Sequence, residues 1–320
     1  MSKRTKKEKP VKEKTNTSKL TKFNKFLAVV LALVFVADMV LIVADPFASE
    51  SVSTDNGPKF AEDLPVIDEF KAGTYAGIEF KSIDDVLAFY SEAYNNTKNQ
   101  TAEYLTDDGS TTTLYKFLGT ESLSVSEVLI DGNKNDMINK LVPGVVDGIF
   151  KSSTWSLVPS VEKTPEKDNA DGVDYTHCIL QVDDILAANV TETENGMIKI
   201  SIQPKGADMA AKGKDSQGRF FMALGDIAGV VDAIGLITWA EGDLYSNIRV
   251  RYQGGTGVIT IDPSTMEVVE ADYEMIANVL VQHANVTVLK DKSAQLDISY
   301  KNHFPASDEY LKEHNNIVRQ

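Results

Sequence analysis

The chain has 320 residues, 42% of them hydrophobic, and a formal net charge of −15. Charge is divided unevenly: residues 1–25 hold ten Lys and Arg against Glu8 and Glu13, a balance of +8, which leaves −23 on residues 26–320. So acidic a body repels nucleic acid and anionic lipid surfaces, and a single cysteine, Cys178, excludes an intramolecular disulfide framework.

In chain order, a basic arm (1–25) precedes an apolar run, residues 26–44, FLAVVLALVFVADMVLIVA, with Asp38 as its one charge. Nineteen helical residues rise about 28 Å, close to the thickness of a hydrocarbon core. The basic arm before it places the N-terminus in the cytoplasm and everything after it outside, as a single-pass protein of the cell membrane. The alternative is secretion after signal-peptide cleavage. It is disfavoured by the long basic arm and by Pro46, which spoils cleavage after Ala44 or Ala48. Asp38 reads as a carboxylate near the outer interface.

Residues 45–75, with Pro46, Gly57, Pro58, Pro65 and Gly73, read as a linker that lifts the domain off the membrane. The extracytoplasmic domain is expected over 76–305, followed by a polar C-terminal tail at 306–320. Its first element is a helix from Ile83. Ser82 caps it, Asp85 completes a capping box, and Val86, Leu87, Tyr90, Ala93 and Tyr94 recur at helical spacing. Residues 101–106 and 110–119 flank Asp107-Asp108-Gly109, a hairpin signal, and 122–130 offers a third strand. A helix kinked at Pro143 is expected over 134–150, then a polar loop over 159–174, a strand over 175–182 and a helical turn over 183–188. Asn195-Gly196 joins strands 189–194 and 197–203 and is the strongest short turn signal in the chain. Residues 217–239 read as a second helical region. Strands then follow at 247–252, 257–261, 267–276, 279–289 and 293–302, with reversals at Gly254-Gly255 and at 262–265. The fold class is therefore α+β: one N-terminal transmembrane helix, then antiparallel β-hairpins with interspersed helices.

Three stretches resemble a class of uncharacterised membrane-anchored or secreted proteins of Gram-positive bacteria: residues 83–98 (IDDVLAFYSEAYNNTK), 182–202 (VDDILAANVTETENGMIKISI) and 260–272 (TIDPSTMEVVEAD). The class has no assigned activity, so the resemblance implies a compartment and not a mechanism.

No catalytic signature emerges. His177, His283, His303 and His314 lack the tight spacing of hydrolytic zinc ligands, and Cys178 sits in the apolar stretch HCIL, which suits a core thiol and not a nucleophile. A calcium-loop register through Gly172 puts Lys167 and Cys178 where carboxylates are needed. No Gly-x-Ser-x-Gly elbow exists. The carboxylate pairs Asp84-Asp85, Asp107-Asp108 and Asp183-Asp184 read as caps and turn residues. No metal and no cofactor are expected. The unusual segment is 220–239, FFMALGDIAGVVDAIGLITW, whose only charges are Asp226 and Asp232. A helix apolar nearly all round is buried, spans a membrane, or covers an apolar ligand. The two acids and three glycines disfavour a span. The candidate ligand-binding residues are Phe220, Phe221, Leu224, Val231, Ile234 and Trp239. The function expected is a non-enzymatic, membrane-anchored binding or interaction module whose partners are the membrane and a lipid or apolar small molecule. The alternative is a cell-envelope glycan hydrolase that uses paired carboxylates.

Overall fold

The computed structural model describes residues 59–134, 136, 139–140, 169–170, 173–174, 177–208, 210, 213–221, 238–286 and 289–318. The expected transmembrane helix at 26–44 and nearly all of the expected helix at 134–150 lie outside them. Among the described residues no helix is long and apolar enough to cross a membrane.

The described chain is mostly antiparallel sheet with a few helices. Strands β1 (Gly73–Tyr75) and β2 (Ile78–Phe80) form a small hairpin before α1 (Ile83–Lys98). Helix α1 starts as its sequence demands. The Ser82 hydroxyl accepts from Asp85 N, and the Asp85 carboxylate accepts from Ser82 N at 3.1 Å and Lys81 N at 2.7 Å. Such a box contributes about 1 kcal/mol. Its inner face buries Val86, Leu87, Tyr90, Ala93 and Tyr94, each worth about 1–3 kcal/mol of burial, in proportion to its apolar area.

Hairpin β3 (Thr101–Thr106) and β4 (Thr111–Tyr115) turns at Gly109, whose φ of 82° no side chain tolerates well. Asp108 fixes that turn by accepting from Thr106 Oγ1, Ser110 N and Ser110 Oγ. Strands β5 (Thr120–Val125), β6 (Leu129–Ile130) and β7 (Asn133–Lys134) follow, then the short hairpin of β8 (Asn169–Ala170) and β9 (Val173–Asp174). Beyond them, Val182–Asp184 is one 3-10 turn, and the strand starts at once after it, as β10 (Ile185–Glu192). The expected helical turn over 183–188 is thus confined to 182–184, with 185–188 already in β10, and the described part of the expected strand over 175–182 is not strand. Strand β11 (Ile198–Pro204) returns across Gly196, φ 73°.

Then come β12 (Ala207–Asp208), α2 (Ser216–Phe221), β13 (Thr238–Trp239), α3 (Leu244–Asn247), β14 (Ile248–Tyr252) and β15 (Thr256–Asp262). Two long strands close the sheet, β16 (Glu267–Val286) and β17 (Leu289–Phe304). Two expectations fail here. First, the anticipated break at 277–278 is absent. Asn278 stays in the ladder opposite Asp297 and donates to its carboxylate at 2.7 Å, so this polar residue is satisfied across the strands. Second, Gly254-Gly255 makes no reversal. Strands β14 and β15 both run antiparallel to β16, the first opposite Ala277–Val281 and the second opposite Glu267–Glu274. The glycines form an irregularity between two collinear strands. Gly255 lies so close to β16 that a Cβ would stand 2.4 Å from Glu274 O.

The N- and C-terminal flanks also fold. Residues 60–66 of the expected linker lie against the domain. The expected polar tail holds α4 (Asp308–Asn315) and β18 (Ile317–Val318), which pairs with β3. Ala306, Leu311 and Ile317 bury themselves with Tyr115 and Leu118 in a second small core. Those spaced apolar residues, diluted by charge, explain why the tail read as polar.

Candidate functional site

Alternation along β16 and β17 gives the sheet two faces. On the inner face α1 is fastened over one half of β16. Thr97 Oγ1 accepts from Val268 N at 2.8 Å, and the Tyr90 and Tyr273 hydroxyls share a hydrogen bond of 3.3 Å. Burial raises both of these hydroxyls above the ordinary tyrosine range; Tyr273 raises Tyr90 further, while the hydrogen bond with Tyr90 pulls Tyr273 back down in part. Phe220 completes this aromatic cluster, 6.2 Å from the Tyr90 ring and 5.7 Å from the Tyr273 ring. It lies over Gly257, where a Cβ would stand 2.5 Å from the Phe220 ring.

Beyond Tyr273 the inner face continues as an apolar stripe. Ala277, Val279 and Val281 of β16 stand opposite Ile298, Leu296 and Ala294 of β17 on one side and Tyr252, Val250 and Ile248 of β14 on the other. All nine are buried. Alanines at 277 and 294 give the stripe two short side chains.

The structure places the predicted ligand residues as follows. Phe220 and Phe221 are buried core rings, 4.8 Å apart between centroids. Trp239 packs partly buried against the same core cluster, with its strand paired to Ala284. Leu224, Val231 and Ile234 lie outside the described residues, as do Asp226 and Asp232. The described members do not converge on one point. Tyr273, beneath Phe220, and Ala284, beside Trp239, are eleven residues apart on β16, about 35 Å along a strand. They mark the two ends of the stripe instead.

The head of the apolar segment is held by polar side chains. Arg219 makes a two-pronged pair with the buried Asp184 carboxylate, with Nε donating to Oδ2 at 2.7 Å and Nη2 to Oδ1. Ser216 Oγ donates to Lys205 O at 2.6 Å, and Gln217 Nε2 donates to the same carbonyl at 3.0 Å.

On the outer face, sequence reasoning missed one grouping. Glu270, Asp272 and His303 bring their ligand atoms within 4.8 Å of one another, all three residues exposed. His303 stands directly opposite Asp272 on the neighbouring strand, Nδ1 to Oδ1 at 2.7 Å. Two carboxylates and an imidazole are a donor set for a divalent transition metal. The signal was the i, i+2 carboxylate pair, but the histidine joins it only through the cross-strand register. His283 instead pairs with Asp291 at 2.7 Å.

The carboxylate pairs are spread out. Asp85 caps α1, Asp108 pins a turn, and Asp184 holds Arg219. Cys178 packs partly buried against the core, its amide donating to Asn95 Oδ1 at 2.6 Å, and burial pushes its thiol up. A raised thiol is a poor nucleophile. No family model, curated protein or solved structure matches the chain.

Proposed function

We propose that this protein is a non-enzymatic binding module, anchored by residues 26–44 with its acidic domain outside the cytoplasm, that holds a lipid or other apolar small molecule along the inner face of its sheet. The observation that carries this reading is the three-stranded apolar stripe past Tyr273, with alanines at 277 and 294, whose two ends meet the two ends of the apolar segment 220–239. Apolar walls with few polar groups are what such ligands require. The alternative, glycan hydrolysis, needs two carboxylates facing one cleft, and each sequence pair has one member committed to a structural hydrogen bond.

The test is displacement of a fluorescent fatty-acid analogue from the purified full-length protein in a short-chain detergent. Ala277→Trp raises the floor of the stripe and should weaken uptake at least tenfold while the far-ultraviolet spectrum stays that of the parent. Absence of uptake by the parent protein refutes the reading.

A further inference from the structure

Residues 60–66 are held on the domain by three main-chain hydrogen bonds, one carboxylate and one ring. Gln203 Nε2 donates to Leu64 O at 2.9 Å, while its Oε1 accepts from Val66 N at 2.7 Å. Gln253 Nε2 donates to Ala61 O at 3.2 Å, its own Oε1 fixed by Arg251 Nε. Gly206 N donates to Asp63 Oδ2, and the Arg249 guanidinium lies 4.8 Å over the Phe60 ring. Gln203 is fully buried although Lys199, on the same face of β11, is exposed. The segment is its cover.

The place it covers is a gap in the sheet. The β11–β15 ladder ends at Ile202 opposite Gly257, and the β12–β14 ladder resumes at Ala207 opposite Tyr252. Between them, 203–206 and 253–256 face each other without ladder pairs, and Gln203, Gly206 and Gln253 turn to residues 61–66 instead. The same gap is gripped from the other side by α2, through Ser216 and Gln217 on Lys205 O, and Lys205 N donates to Asp184 O at 2.7 Å. Asp184 in turn holds Arg219.

We propose that residues 60–66 are a strap that closes this gap and couples the N-terminal flank of the domain to the head of α2. Displacing the strap removes the partners of Gln203, Gly206 and Gln253; 203–204 keep their pairing to β10, and the loosened edge at 205–206 carries the Lys205 carbonyl that Ser216 and Gln217 grip. Leu64 and Val66 are more than half exposed, so the strap gains little from apolar burial. A few hydrogen bonds of small net value oppose the ordering of seven residues, which puts the docked strap at the easily opened end of the molecule's stability range. The coupling stands whether or not segment 220–239 covers a ligand.

Hydrogen exchange on the full chain in detergent micelles tests this. In Gln203→Leu/Gln253→Leu, exchange should rise at least tenfold in peptides covering 60–70, 203–208 and 213–221, and stay unchanged where β5 pairs with β17. Faster exchange in the strap alone overturns the coupling, and an unchanged strap overturns the role of the two amides. Gly206→Ala is the second variant, used if the double variant fails to fold. Its Cβ would stand 2.8 Å from Arg251 Nη2 and 3.0 Å from Asp63 Oδ2, and it should produce the same pattern. A correct exchange pattern in a protein that takes up no apolar probe would sink the ligand reading and leave the strap intact.

Discussion

Removing the Asp184 carboxylate should be among the costliest single changes outside the apolar core. Its side chain is 6% exposed and that of Arg219 21%. Besides Arg219, the carboxylate accepts from Gln181 N at 2.9 Å. Breaking a buried pair from one side costs about 3–5 kcal/mol, because the surviving charge is stranded. Arg219 can rehydrate through its exposed fifth, which puts Asp184→Ala near the lower end, about 3 kcal/mol. With a urea slope of about 3 kcal/mol/M, that moves the unfolding midpoint down by about 1 M. Arg219→Met should cost about as much. The double variant Asp184→Leu/Arg219→Met should cost clearly less than the two singles together, with a coupling of about 2 kcal/mol. Urea titrations of the four proteins measure the cycle. Single costs below about 0.5 kcal/mol that simply add would refute the reasoning, since they would mean an ion pair in water and not a clamp on α2.

Three further outcomes follow from the same structure. Burial raises the hydroxyls of Tyr90, Tyr252, Tyr273, Tyr300 and Tyr310. The folded state therefore holds those protons more tightly than the unfolded chain. Their contribution is complete below about pH 10 and is lost as pH rises past the unfolded tyrosine value. Thermal midpoints should fall steeply above pH 10, and a flat profile to pH 12 would contradict the buried hydroxyls. Burial likewise raises the Cys178 thiol, so at pH 8 a thiol-directed disulfide reagent should label the native protein at least a hundredfold more slowly than the urea-unfolded chain. Equal rates would place the thiol in solvent. Protease applied to intact cells should remove the domain and spare the basic arm, because the arm is +8 and precedes the apolar run. A protected domain would reverse the proposed topology.

Much of the fold was legible because local chemistry decides it. Ser82 with Asp85, the apolar spacing from Val86 to Tyr94, and the turns at Gly109 and Gly196 each announce themselves within a few residues. What escaped depends on partners far away in the chain. Asn278 falls in the expected break at 277–278, yet Asp297 satisfies it within the ladder. Gly254-Gly255 looks like a reversal until both flanking strands are found on β16. Residues 60–66 look like a spacer because their ordering comes from Gln203 and Gln253, about 140 and 190 positions away, and main-chain hydrogen bonds leave no mark on side-chain pattern. At the candidate site, Phe220 and Phe221 at one end of the apolar segment are buried and Trp239 at the other is partly buried. Their separation along β16 could not be read, since it is set by strand register and not by helical spacing. The Glu270, Asp272 and His303 grouping was hidden for the same reason.

The central claim is that the sheet's inner face carries an apolar ligand, and native mass spectrometry of the full-length protein, extracted gently from its own membranes, addresses it most directly. A bound mass of lipid size at about one per chain, retained by the parent protein and lost in Ala277→Trp, is the predicted result. A parent protein that flies at its bare polypeptide mass, and stays bare when supplied with the lipid extract of the same membranes, would contradict the account.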